Sequence, residues 1–144
     1  MTDRGEVRIE RRVAAPPETV YDYLTDAGLW ARWQGISASV DARPGGVFLM
    51  RMANGMEASG EFVELVRHRR VVVTWGWAGS DVLPPGSSTV EIVLEPDGDG
   101  TLVRLTHRDL PESEVASQDA GWRRYLPRLA AAAEGIDVGA DPGL

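Results

Sequence analysis

The chain contains no cysteine and no lysine, and each absence removes a class of chemistry. Without cysteine there are no disulfides, no thiolate nucleophiles and no cysteine-ligated zinc. Without lysine there is no phosphate-binding loop of the Gly-Lys-Ser/Thr kind. The two histidines are far apart in the sequence, which gives metal binding little support. A Gly-x-Ser-x-Gly elbow is also missing. We therefore expect no cofactor and no metal, and neither nucleotide hydrolysis nor serine-hydrolase chemistry.

Positive charge and long apolar runs are scarce as well. The formal net charge is -7, which opposes binding to nucleic acid or to an anionic lipid surface. The one basic run, Arg67-His68-Arg69-Arg70, lies between two strand-like segments and is interpreted as a solvated hairpin turn. No apolar stretch approaches the roughly 18–20 residues that span a bilayer, and no apolar signal core follows the first residues. We expect a cytoplasmic protein without membrane insertion.

What is present is the composition of one globular domain. The 144 residues are 43% hydrophobic and 26% charged, which is ordinary for a folded protein and enough to bury a core. There is no internal repeat and no interdomain linker. We expect one domain over residues 1–144, with its core at about 6–134 and a flexible acidic tail at 135–144.

Hydrophobic periodicity predicts the order of the elements. Residues 6–13 alternate as in a strand, and two short helices follow, the first beginning near Pro16-Pro17-Glu18. Six more strands separated by turns are predicted at 36–40, 47–52, 56–65, 70–77, 89–95 and 101–107, with a bulge near residues 63–65. From Ser113 the period becomes about 3.6, which predicts a long helix that Pro127 should kink.

The fold class that this order favours is α+β. Consecutive strands joined by short turns form an antiparallel meander, and the C-terminal helix is the one large apolar element left to cover it. A strongly twisted sheet need not close tightly on a single helix, so the pattern leaves room for a cavity between them.

Short motifs are distributed along the chain. They are Ala14-Ala15-Pro16-Pro17-Glu18-Thr19-Val20-Tyr21, Leu24-Thr25-Asp26, Trp30-Ala31-Arg32-Trp33, Arg43-Pro44-Gly45-Gly46, Asn54-Gly55, Gly60-Glu61, Val73-Thr74-Trp75, Leu105-Thr106-His107 and Gly121-Trp122. In this order they resemble the motifs of one known group, the bacterial branch of the START-like (SRPBCC) superfamily that contains homologues of heat-shock-protein-90 ATPase activators. The resemblance runs from about residue 6 to 134.

The resemblance implies a helix-grip fold, also described as START-like or birch-pollen-allergen-like. In that fold a seven-stranded antiparallel sheet wraps around a long C-terminal helix, two short helices follow the first strand, and a hydrophobic cavity lies between sheet and helix. It implies much less about activity, because superfamily relatives include lipid carriers, polyketide cyclases and proteins that sequester toxic natural products.

Large side chains predicted to face inward are the candidate ligand-binding residues. Five tryptophans in one small domain are more than core packing usually requires. The candidates are Trp30, Trp33, Phe48, Met50, Phe62, Trp75, Trp77, His107, Trp122, Tyr125 and Leu126. Residues 78–88 and the Trp30–Trp33 segment are expected to form the mouth of the cavity. For each ring alone, core packing is the alternative interpretation.

His107 is the most interesting titratable residue, because its strand position predicts that it faces inward. It could act as an acid, a base or a ligand anchor. Alternatively, its ring nitrogens are satisfied by neighbours, and no second catalytic group is visible beside it.

Three functions stay open at this point. The first is binding of a small hydrophobic or amphipathic molecule, such as a lipid or an aromatic polyketide. The second is a cyclase or hydratase with His107 as acid/base and Tyr125 as a donor to an oxyanion. The third is a module that binds a chaperone. The sequence favours binding over catalysis and does not specify an oligomeric state.

Overall fold

Seven antiparallel strands and three α-helices make up residues 4–143, the part of the chain that the computed structural model describes. A short 3₁₀ helix, Glu112–Glu114, precedes the last α-helix. The strands are β1 (Arg4–Val13), β2 (Ser37–Val40), β3 (Val47–Arg51), β4 (Glu57–Val66), β5 (Arg70–Trp75), β6 (Ser88–Asp97) and β7 (Gly100–Pro111), and the helices are α1 (Pro17–Tyr23), α2 (Ala27–Trp30) and α3 (Val115–Ala133).

The strands form one sheet in the order β1-β7-β6-β5-β4-β3-β2. Strands β2 to β7 are therefore a continuous meander, and β1 pairs with β7 at the far edge. The two short helices connect β1 to β2 and so link the two edges of the sheet. The predicted antiparallel meander with a long C-terminal helix is confirmed.

The alternation of side chains along the strands places one face of the sheet in the core. On β6, Val90, Ile92 and Leu94 are buried, while the residues between them are half-exposed. Helix α3 buries Trp122 and Leu129, among others, in the same core cluster. Burying each such side chain stabilises the fold by about 1.5–3 kcal/mol.

The sheet departs from a regular ladder at two places, within β4 and at the end of β5. The register shifts between Phe62 and Glu64, where the predicted bulge is confirmed. Strand β5 ends at Trp75, two residues earlier than predicted, and Trp77 contributes only an isolated bridge to Ala58. Between them, a Cβ on Gly76 would lie 1.8 Å from the carbonyl oxygen of Pro84, so only glycine fits there.

The outer face of the sheet carries ion pairs between neighbouring strands. Arg104 lies between Glu10 and Glu95, at 2.8 and 2.9 Å, and Arg70 reaches Glu91 at 2.5 Å. These side chains are half-exposed, so each pair contributes little to stability. The face is solvated, as its charged sequence pattern indicates.

Residues 136–143 hold contacts that differ from the flexible tail expected from the sequence. The guanidinium of Arg128 donates to the carbonyl oxygens of Val138 and Gly139. Asp141 is 7% exposed and accepts hydrogen bonds from the core side of the molecule. Composition alone predicted an acidic, unattached segment. The residues that contact it lie in other parts of the chain, so the sequence of the segment does not reveal them.

Candidate functional site

A cavity of about 250 Å³ lies between α3 and one end of the sheet. The β3–β4 turn forms one side, the end of β5 and the following loop form the second, and the first half of α3 forms the third. The lining residues are Gln34, Met52, Ala53, Asn54, Met56, Trp75, Trp77, Ser80, Glu114, Ser117, Gln118, Gly121, Trp122, Tyr125 and Gly143.

Three indole rings form the aromatic wall of the cavity. The Trp75 and Trp122 ring centroids are 5.2 Å apart, and those of Trp75 and Trp77 are 5.8 Å apart with the rings nearly perpendicular at 81°. Such tilted and edge-to-face pairs are the favourable arrangements for aromatic rings. The three rings therefore pack against one another at this wall.

The indole nitrogen of Trp75 is a buried donor without a hydrogen-bond partner among the described residues. Leaving such a group unpaired costs about 1–3 kcal/mol. The two buried tryptophans of the neighbouring segment differ, since Trp30 donates to Gln34 at 2.9 Å and Trp33 donates to the carbonyl oxygen of Tyr23 at 3.3 Å. Trp75 therefore stands out as a residue of the cavity wall whose buried donor is unpaired.

The side chain of Gln34 adds a second donor at the cavity. Gln34 is 2% exposed, and its amide oxygen is occupied by the indole of Trp30. An amide oriented in this way has its nitrogen left to donate. The predicted mouth at Trp30–Trp33 is corrected by this arrangement, because Trp30 and Trp33 are 1% and 0% exposed and pack in the core behind Gln34.

His107 is completely buried, and both of its ring nitrogens are occupied. The indole of Trp122 donates to Nδ1 at 3.0 Å, and Nε2 lies 2.7 Å from the hydroxyl of Ser88. Since an indole can only donate, Nδ1 is the unprotonated nitrogen and the ring proton is on Nε2. The Ser88 hydroxyl then accepts from His107 and donates to the carbonyl oxygen of Trp75 at 2.7 Å.

This chain of hydrogen bonds fixes the neutral form of the imidazole. Burial lowers the pKa of His107 from 6.5 to about 3, because the charged form loses its hydration. The alternative interpretation given above, a histidine satisfied by its neighbours, is the one that this geometry supports. An acid/base role would first require Trp122 or Ser88 to release the ring.

The hydroxyl of Tyr125 is committed in a similar way. It donates to Asp141 at 2.8 Å, and the same carboxylate oxygen accepts from the backbone N–H of Gly35 at 2.7 Å. Burial, and then the hydrogen bond and charge of Asp141, raise the pKa of the Tyr125 phenol. The hydroxyl therefore offers the cavity an acceptor oxygen, which does not suit the predicted role as a donor to an oxyanion.

Four of the predicted ligand-binding residues line the cavity, namely Trp75, Trp77, Trp122 and Tyr125. The remaining ones are buried elsewhere in the core and do not line it: Trp30, Trp33, Phe48, Met50, Phe62, His107 and Leu126. Ser80 places the predicted mouth loop, residues 78–88, at the cavity. The lining residues that the sequence did not indicate are Gln34, Met52, Ala53, Asn54, Met56, Glu114, Ser117, Gln118, Gly121 and Gly143.

The described residues contain no group of acidic or histidine side chains arranged to hold a metal ion. Within the same residues, no helix is long and apolar enough to cross a membrane.

Comparison with known proteins identifies the family. Residues 14–134 match the family described as Activator of Hsp90 ATPase homolog 1-like protein. The chain belongs to this family. The AHSA1-like fold is also that of a solution structure from Rhizobium etli, an AHSA1-like protein that is 45% identical, with a TM-score of 0.76, over 97% of this chain and 88% of that one.

Two further proteins are similar to this chain. DynU16, a protein of the dynemicin biosynthetic locus, is 25% identical with a TM-score of 0.78, over 92% of this chain and 48% of its own. The human Activator of 90 kDa heat shock protein ATPase homolog 1 is 26% identical over 121 residues, which are 83% of this chain. The chain spans about a third of that human protein, 34% of its length.

Proposed function

We propose that this AHSA1-like chain binds a compact, mainly apolar molecule that carries a hydrogen-bond acceptor, and that the ligand occupies the cavity under α3. The observation that carries the proposal is the unpartnered N–H of Trp75 at a cavity lined by aromatic and methionine side chains. An acceptor atom there recovers the cost of the buried donor, and the rings supply contact area.

The size of the cavity limits the ligand. Ligand pockets for drug-sized molecules measure about 300–1,000 Å³, whereas an apolar cavity of about 150 Å³ holds one benzene ring. At about 250 Å³ this cavity suits one or two rings, or a short acyl chain, and is too small for a complete membrane lipid. DynU16 belongs to a biosynthetic locus, which is consistent with small-molecule binding within the family.

Gly121 provides a direct test, because it lies in α3 and lines the cavity, and a Cβ added there meets nothing within 4 Å. In Gly121→Leu the new side chain occupies the cavity, so we expect binding to be lost while stability rises by about 1 kcal/mol from helix propensity. Gly121→Ala is the matched control, with the same gain in stability and most of the cavity left.

The experiment is isothermal titration of the three proteins with 4-methoxyacetophenone and 2-acetonaphthone, which are neutral aromatic ketones with one and two rings. Saturable binding to the wild type and to Gly121→Ala, but not to Gly121→Leu, supports the proposal. Equal binding to all three proteins places the ligand elsewhere, and binding to none of them contradicts the proposal.

The relationship to the human ATPase activator makes chaperone binding the second candidate function. A docking surface of that kind needs a contiguous apolar patch, and the outer sheet face is instead occupied by ion pairs such as Arg104 with Glu10 and Glu95. A pull-down that returns one stoichiometric chaperone partner would favour this candidate over small-molecule binding.

The cyclase or hydratase alternative is less well supported by the geometry. His107 donates to Ser88 and accepts from Trp122, and the hydroxyl of Tyr125 donates to Asp141. Neither group is left to exchange a proton with a molecule in the cavity. Turnover that disappears in a His107→Gln variant while ligand affinity is retained would reverse this judgement.

A further inference from the structure

The charge of the cavity wall restricts the chemistry of the ligand more than the volume of the cavity does. Among the described lining residues, Glu114 is the one with a formal charge. Its half-buried carboxylate makes no ion pair or hydrogen bond with a described residue. The other lining side chains are neutral, and none is an arginine or a histidine. No group in this wall is suited to neutralise an anionic ligand.

The N-terminus of α3, which lies next to Glu114, does not make the local charge positive. Helix α3 begins at Val115, and a helix N-terminus carries about half a positive charge. Glu112 and Glu114 both lie in the turn just before it, and together they outweigh that half charge. The protein's net charge of -7 adds to the negative potential around the mouth.

The neutral groups of the wall also present electron-rich surfaces. The hydroxyl of Tyr125 donates its hydrogen bond to Asp141, so its oxygen is left with lone pairs that can accept one. The faces of Trp75, Trp77 and Trp122 are negative because of the ring quadrupole, and tryptophan is the best side chain for attracting a cation in this way. The Trp75 and Trp77 rings pack edge to face at 81°, so the wall contains two differently oriented rings.

We propose that the natural ligand is a cationic amine: a compact aromatic or alicyclic skeleton with an ammonium group at the Glu114 end of the cavity and an acceptor atom at Trp75. This inference rests on the proposed binding function and adds the charge of the ligand to it. It excludes free carboxylic acids, fatty acids included, as the preferred ligands of this site.

Three probes that share one skeleton test the charge directly. They are 4-methoxyphenethylamine, 4-methoxyphenethyl alcohol and 4-methoxyphenylacetate, which keep the ring and the ether acceptor and change only the head group from cation to neutral to anion. Isothermal titration at pH 7.5 and low salt should give an affinity for the amine about tenfold above that for the alcohol. The carboxylate should bind more weakly than both.

Glu114→Gln should reduce the preference for the amine several-fold and leave the affinity for the alcohol unchanged. Glu112→Gln is the matched control, since it removes the same charge from a residue that does not line the cavity and should therefore reduce the preference less than Glu114→Gln does. Equal affinity for amine and alcohol, or tightest binding of the carboxylate, overturns the inference while leaving the binding function intact. If none of the probes and neither aromatic ketone binds, the proposed function itself fails.

Discussion

Acidification should destabilise the folded protein through His107, and the structure gives the size of the effect. The folded protein holds the pKa of His107 at about 3, whereas an unfolded chain has a histidine pKa near 6.5. Between these values the unfolded state binds a proton that the folded state does not, so the free energy of unfolding rises with pH in this window. Stability is therefore lost as the pH falls below about 6.5.

The expected loss between pH 7.5 and pH 5.0 is about 2 kcal/mol from this one group, since each pH unit below the unfolded pKa contributes about 1.4 kcal/mol. Other ionisable groups also titrate in this range, so the measurement compares two proteins. In His107→Gln the amide can accept from Trp122 and donate to Ser88, which keeps the partners of the ring satisfied.

The assay is urea unfolding followed by tryptophan fluorescence at both pH values, for the wild type and for His107→Gln. We expect the variant to lose about 2 kcal/mol less than the wild type on acidification. His68→Gln, at the β4–β5 turn outside the core, should behave as the wild type does. If wild type and His107→Gln lose the same free energy, or if His107 titrates near pH 6.5 by NMR, the locked neutral imidazole is refuted.

Four other substitutions test buried contacts by urea unfolding. Trp75→Phe should cost at least about 1 kcal/mol less than Trp30→Phe, because only Trp30 loses a hydrogen bond; equal costs would mean that the Trp75 N–H has a partner in solution. Asp141→Ala should cost about 1–3 kcal/mol, since it leaves buried donors on Tyr125 and Gly35 unpaired, and a cost near zero would show that the C-terminal segment is not docked. Gly60→Ala should cost more than 2 kcal/mol, because its Cβ would lie 2.1 Å from the carbonyl oxygen of Thr74, whereas stability equal to the wild type would contradict that close approach.

The sequence predicted the fold because the fold depends on local periodicity. Alternation along residues 89–95 and the 3.6-residue period after Ser113 determine which face of each element is apolar, and those faces are the ones buried. The pattern of the residues after the first strand also predicted two short helices there, and the motifs shared with the AHSA1-like family imply the same two helices.

The cavity was predicted only in part, because periodicity says which way a side chain faces and not what covers it. Phe48, Phe62 and Leu126 face inward as predicted, yet other side chains fill the space beside them. Trp75 and Trp122 also face inward, but they line the cavity between α3 and the sheet. The distinction depends on tertiary distances that no pattern within one element contains.

The hydrogen-bond partners of His107 and Tyr125 could not be predicted from the sequence. Ser88 was assigned to the loop before β6, and its contact with His107 depends on the register between β6 and β7. Asp141 belongs to a segment that reads as a solvated tail, and it is buried only because Tyr125 and Gly35 supply donors. Both contacts join residues that are distant in sequence.

Acceptance of the Trp75 hydrogen bond by a ligand can be observed directly by NMR. The indole N–H signals of the ¹⁵N-labelled protein are recorded during titration with 4-methoxyphenethylamine. The five tryptophans give five indole N–H signals, and Trp→Phe variants assign them. We predict a saturable downfield shift of the Trp75 signal as its N–H gains an acceptor, with the Trp30 signal unchanged because Gln34 already holds it. A titration that saturates without moving the Trp75 signal would contradict the account.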